Sequence, residues 1–332
     1  MQAHSNPDTA RAFYLNELAW QYLDFSLDSS ELYYKEGLGL SEKLNYISGI
    51  ISAKNVKGLM LRMSNNPDEA IKVGEEVIQL RQTYGPASKL TGAYTNLGSV
   101  YIVKGDYARA LKYLNKGLEN AQKWNQVENQ ILILSNIGIV YNYSELNDLA
   151  LETFQKAVVI NKQLSGDVQI VQQAQLYTNI AAIYDKRGLY NEAYKYFKYS
   201  YDVYKKEEDT RDLSIVVFNL TSTTRNNKDL KGCEFFLKEM EKISKVLNQT
   251  EYTASYYSTL ANYLLFTGKY NEAITKINNG LELVDTINSV QLYGVLLGIK
   301  SDYYKYTKDY KKALEYTDRS LAVIKKQAIN LK

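Results

Sequence analysis

The chain has 332 residues, 45% of them hydrophobic and only three of them proline, so it can bury a large core and is neither linker-rich nor disordered. Forty basic against 37 acidic side chains leave a formal charge of +3, which gives no case for nucleic acid, and a single cysteine, Cys233, excludes an internal disulfide. No run of about eighteen apolar residues offers a membrane span, and the start "MQAHSNPDTARAF" lacks the apolar segment of a signal peptide.

Beyond residue 8 the chain repeats itself. Ser30, Ala70, Ala110, Ala150, Ala193, Cys233, Ala273 and Ala313 stand 40 residues apart, with one step of 43 between Ala150 and Ala193. Twelve residues before most of them sits a second small residue: Gly58, Gly98, Gly138, Ala181, Thr221, Ala261 and Ser301, with Ala19 one residue closer in the first unit. A large residue follows three positions later (Tyr22, Leu61, Tyr101, Tyr141, Tyr184, Leu264, Tyr304), and offsets of three and four share a helix face. The pattern predicts eight helical hairpins over 9–44, 45–84, 87–124, 127–164, 168–207, 210–247, 250–286 and 289–328, forming one continuous array over 9–332 behind a tail of residues 1–8.

In chain order, the second hairpin turns at "NNPD" (65–68), the third at "KGDY" (104–107), the fifth at "RGLY" (187–190) and the seventh at "TGKY" (267–270). Gly there accepts a left-handed backbone and Asp or Asn caps the helix that follows. The three extra residues before Ala193 are expected in a longer polar turn at "LSGDVQ" (164–169). The sixth unit, "FNLTSTTRNNKDLKGCE" (218–234), keeps the skeleton faintly, and the eighth breaks it with Lys300 at an aliphatic position and Thr317 at a large one. Each hairpin exposes an apolar stripe, such as Leu111 and Leu118, that only the next hairpin can cover.

Large-x-x-Leu-Gly-x-x-Tyr followed by Ala-x-x-x-Phe-x-x-Ala resembles the tetratricopeptide repeat. The resemblance implies an all-α, right-handed α-solenoid of about eight hairpins. The spacing of 40 rather than 34 implies longer helices, about 9 Å more helix per unit. The stretch "PDTARAFYLNELAWQYLDFS" (7–26) further resembles the first repeat of the sensory or interaction half of bacterial regulators. That resemblance implies a non-catalytic scaffold for a protein or peptide.

The chemistry for other functions is missing. One histidine, His4, and one cysteine cannot build a zinc cluster or a Cys–His nucleophile, and Cys233 occupies a core alanine position. No phosphate-cradling loop of the required spacing occurs. No catalytic residue, metal ligand or cofactor is therefore expected.

In tetratricopeptide arrays the first helix of each hairpin lines the concave face. The resemblance places the exposed inner positions two and three before the small residue, one after it, and four and five after it. Two before, Asn96, Asn136, Asn179 and Asn219 form a run over four units, and Lys186, Arg225 and Asn262 join them as candidate ligand-binding residues. A carboxamide can both donate to and accept from the backbone of an extended peptide, though Asn also simply suits a solvated helix surface. Thr95, Ser135 and Thr178 complete a face that reads as polar and of mixed sign. The two-carboxylate clamp of some members needs lysines beside these asparagines, and Thr95, Ser135, Thr178 and Phe218 stand there instead.

The final helix presents Leu314 and Leu321 where earlier units meet a following hairpin, so the C-terminal hairpin is expected to dock on a further domain or another subunit. Two rival functions stay open: a cytoplasmic peptide-pheromone receptor of the quorum-sensing kind, and an enzyme or phosphatase regulator. Two compartments fit as well, outside the cytoplasm for a sensor region trimmed of its signal and the cytoplasm otherwise.

Overall fold

A small side chain on each of two helices lets the backbones approach, and a large neighbour then fills the flank. The computed structural model of this chain describes residues 8–23, 26–287 and 289–330. His4 and the rest of the tail up to residue 7 lie outside them. Among the described residues there are sixteen α-helices and no strand, and the chain divides between Leu164 and Ser165 into two units.

The first unit holds four hairpins: α1 (Thr9–Tyr22) with α2 (Leu27–Lys43), α3 (Ile47–Met63) with α4 (Pro67–Tyr84), α5 (Leu90–Lys104) with α6 (Tyr107–Lys123), and α7 (Val127–Tyr143) with α8 (Asn147–Asn161). Its crossings are tight. A Cβ added to Gly98 would come within 2.8 Å of the Leu114 side chain, and one added to Gly138 within 2.6 Å of the Phe154 ring. Leu97, Leu114, Ile133 and Ile137 form the middle of one core, against which Leu111 and Leu118 pack as the stripe that the next hairpin covers.

The second unit repeats the plan with α9 (Gly166–Lys186) and α10 (Tyr190–Lys206), α11 (Thr210–Asn226) and α12 (Leu230–Leu247), α13 (Thr250–Phe266) and α14 (Tyr270–Ile287), and α15 (Val290–Tyr306) and α16 (Tyr310–Asn330). Phe197, Val216, Leu220 and Phe236 centre its largest core cluster. Cys233 is fully buried and burial pushes its thiol up to about 11, so it stays protonated and inert. The three extra residues expected in a polar turn lie instead in the opening of α9, which runs 21 residues against 17 for α7 and α11. Asp167 stands in that first turn, where an acidic side chain favours helix.

One device ends the first helix of seven hairpins. The residue five before the conserved small position has a positive φ: Asn65, Gly105, Glu145, Gly188, Lys228, Gly268 and Lys308. The next N–H then reaches back to the large residue of the repeat, as Asp106 N to Tyr101 O at 2.9 Å and Asp309 N to Tyr304 O at 2.9 Å. These are Schellman closures, which satisfy carbonyls that the helix end would leave bare. Asp106, Asp229 and Asp309 go on to cap the second helix by accepting from an N–H three residues ahead.

Eight of the 31 tyrosines find an explanation here as well. The large residue of the first helix stacks on the residue three after the small position of the second: Tyr22 on Tyr33, Tyr101 on Tyr113, Tyr184 on Tyr196 and Tyr304 on Tyr316, with centroids 5.3 to 5.7 Å apart. These pairs hold hairpins together. The irregular eighth hairpin is explained by a polar crossing. Ser301 Oγ lies 2.7 Å from Thr317 Oγ1 and donates to the Ala313 carbonyl, while Lys300 reaches Asn278 Oδ1 and lies over the Tyr316 ring.

Candidate functional site

Which side of each unit is free to bind follows from helix contacts. In the first unit α1 touches α3, α3 touches α5 and α5 touches α7; in the second α9, α11, α13 and α15 do the same. No two second helices make comparable contact among the described residues. First helices therefore crowd together on the inside of each stack, and their outward-turned residues form its inner face.

In the first unit Asn96 and Asn136 lie half-buried on that face. The Asn136 amide donates to Ser99 Oγ across the α7–α5 seam, at a long 3.5 Å. Nothing among the described residues hydrogen-bonds the Asn96 carboxamide. Asn96 lines a cavity of about 410 Å³ together with Trp20, Asn55, Gln126 and Asn129. Thr95 departs from expectation: it is 5% exposed and its hydroxyl turns back to the Thr91 carbonyl, so it is core and not ligand-facing.

In the second unit Asn179, Asn219 and Asn262 are half-buried on the first helices. The carboxamides of Asn219 and Asn262 are unengaged by the rest of the described chain. Lys186 is exposed, and Arg225 is half-buried with its guanidinium on Asn226 Oδ1 at 3.3 Å. Asp185 accepts from the Thr223 hydroxyl at 2.6 Å, a bond that ties α9 to α11.

The face is less polar than its asparagines suggest. Five after the small residue, Met63, Val103 and Tyr143 are exposed in the first unit, and Phe266 and Tyr306 in the second. Each unit thus sets an apolar edge beside its carboxamides. The spacing carried this signal, as it did for Asn55, three before Gly58, and Arg62, four after it. Arg62 is half-buried, and burial lowers its pKa with no carboxylate to oppose the effect. Arg81 lies on a second helix, so the inner-face register gives no sign of it, whereas Asn129, seven before Asn136 on α7, shares the face of Asn136.

Among the described residues no three His, Cys, Asp or Glu side chains gather as a metal site, and no helix is long and apolar enough to cross a membrane.

Comparison with known proteins agrees with this fold. The tetratricopeptide repeat family matches over residues 89–163. A curated relative, the Photosystem I assembly protein Ycf3 of Prochlorococcus marinus (strain MIT 9215), is 30% identical over 125 residues, which are 38% of this chain and 65% of that protein. Among solved structures, a Rap protein complexed with Competence and Sporulation Factor superimposes with a TM-score of 0.77 at 15% identity, over 98% of this chain and 89% of that one. The apo quorum sensor NprR from B. thuringiensis gives 0.76 at 14% identity, over 97% and 90%. The Rap conjugation gene regulator of plasmid pLS20 in complex with the Phr* peptide gives 0.63 at 14% identity, over 96% of each chain. At such identities the likeness is one of fold. Residues 89–163 match the tetratricopeptide repeat family, and the hairpins on either side are built to the same plan.

Proposed function

We propose that this protein is a non-catalytic receptor for an extended peptide or protein segment, serving as the sensory or interaction region of a bacterial regulator. The ligand lies along the first-helix face of a unit, its backbone paired with carboxamides and its side chains against the apolar edge. One observation carries this reading: Asn96 in the first unit and Asn219 in the second are half-exposed, at the same register, and hydrogen-bonded to nothing else in the described chain. A half-buried carboxamide without a partner is a group waiting for one. Two solved structures of this fold hold, by name, Competence and Sporulation Factor and the Phr* peptide, which supports a peptide as ligand. That likeness also favours a second reading, a receptor for a short signalling peptide.

A random decapeptide library displayed on phage and selected on the immobilised protein supplies ligands for the test. Changing Asn96 and Asn136 together to Ala, or Asn179 and Asn219 together, is expected to weaken the selected peptides by about 1–3 kcal/mol when the altered unit is the one that binds. Unchanged affinity in both double variants overturns the ladder. Selected peptides that keep full affinity when cut to five residues point to the short-peptide reading.

A further inference from the structure

The cavity beside Asn96 contains more than the ladder explains. Its walls bring in Arg81 from α4 and Lys89 from the short turn before α5, and no acidic residue lines it. Some cations in this unit find carboxylates, as Lys54 finds Glu76 at 2.7 Å and Lys104 finds Asp68, whereas the half-buried Arg62 and Arg81 do not. Arg81 finds none among the described residues, although it is half-buried and burial alone lowers its pKa. A guanidinium withdrawn from water without a counter-ion is a costly arrangement that an incoming anion relieves.

The other walls fit the same guest. Gln126 donates to the Ser88 carbonyl at 2.9 Å and accepts from Asn129 at 3.1 Å, so these two are locked as scaffold. Asn55 and Asn96 are unengaged and can donate into the cavity. Trp20, 39% exposed, adds an apolar wall. The volume of about 410 Å³ falls within the range of small-ligand pockets.

We propose that this cavity is a binding site for a carboxylate group, held by the Arg81 fork and the Asn55 and Asn96 amides, with Lys89 drawing it in. A singly charged, planar carboxylate matches one guanidinium flanked by neutral donors. The arrangement differs from a lysine clamp on the inner positions, because Arg81 comes from a second helix. The source of the carboxylate, a peptide's end or its acidic side chain, rests on the peptide-binding reading; the charge match does not.

The chain has two tryptophans, so in a Trp124→Phe background Trp20 emission reports the cavity alone. Four probes are titrated: N-acetyl-glycylglycine, its C-terminal amide, N-acetyl-aspartate amide with a free side-chain carboxylate, and inorganic phosphate. A saturable change with either carboxylate probe and at least about tenfold weaker binding of the neutral amide are expected. The tighter of the two carboxylate probes names the source. Arg81→Gln is expected to weaken the carboxylate probe about tenfold or more, and Arg81→Lys by less, with circular dichroism unchanged in both. The free acid and its amide binding alike, phosphate alone binding, or Arg81→Gln binding as before would each overturn the site. Asn136 is not among the cavity's walls, so long peptides that bind Asn136→Ala as tightly as wild type count against the ladder alone, while the four probes test the cavity.

Discussion

Hairpins two to four of the first unit cross at glycines, Gly58, Gly98 and Gly138, whereas the second unit holds Ala181, Thr221, Ala261 and Ser301 at the same register. Leu114 and Phe154 press into the space that a Cβ would fill at Gly98 and Gly138. In hairpins five and eight of the second unit, as at Ser30 in the first hairpin, hydroxyls bridge the gap instead: Ser200 donates to the Ala174 carbonyl at 2.7 Å, Ser301 to Ala313 at 2.8 Å and Ser320 to Gly294 at 2.8 Å. A close crossing can thus be closed by interlocking apolar volume or by side chain-to-backbone hydrogen bonds. The first is sensitive to one added methyl, the second to the loss of one polar group.

The largest effect is expected at Gly138. Phe154 is 1% exposed, so its ring has no room to yield to a new Cβ 2.6 Å away. Gly138→Ala should lower stability by about 2–3 kcal/mol, even after the helix-propensity gain of alanine. A urea midpoint that does not fall would show that Phe154 has another rotamer open to it.

The second unit has a polar tie of its own, and the pH dependence of a Glu239 variant isolates it. Glu239 on α12 accepts from Tyr201 at 3.0 Å, Lys205 at 3.1 Å and Lys242 at 2.8 Å, joining α10 to α12. Burial works to raise its pKa, but the bonds from Lys242, Lys205 and Tyr201 outweigh that and hold the carboxyl down at about 2. The folded value lies below the unfolded one, so the contribution is full above about pH 4.5 and is lost as pH falls toward 2. Both lysines are more than half exposed, which limits the contribution to about 1–2 kcal/mol. Stability of wild type and Glu239→Gln, measured from pH 6 to pH 2, should differ most at the neutral end and converge in acid. Curves that stay parallel throughout would remove Glu239 from the account.

The comparison also marks how far sequence reasoning reached. A 40-residue period fixed every hairpin, because a helix pair that must bury small and large residues at set offsets leaves that pattern in the chain. The turn position was readable where Gly105, Gly188 and Gly268 occupy it and hidden where Glu145, Lys228 and Lys308 do, since their left-handed backbone is imposed by the closure and not preferred by the residue. Thr317 looked like a defect until its contact with Ser301, sixteen residues away, gave it a role. The asparagines stand out in the sequence because they follow the period. Arg81 escaped because cavity walls also draw on second helices and turns, which no inner-face register tracks.

The smallest expected effect runs the other way and sharpens the glycine rule. Gly58 shares the register of Gly98 and Gly138, but a Cβ built there would meet only Val73 Cγ1, at 3.6 Å, an ordinary contact. The second helix offers Gly74 where hairpins three and four offer Leu114 and Phe154, four after the small residue, so nothing presses into the crossing. Glycine at 58 therefore carries its entropic cost in a helix without a packing return. Gly58→Ala should raise stability by about 0.5–1 kcal/mol, read as a higher urea midpoint with unchanged slope. A loss instead would mean that glycine is needed at this register for the approach of the two backbones themselves, and that the interlocking side chains of hairpins three and four follow from that approach.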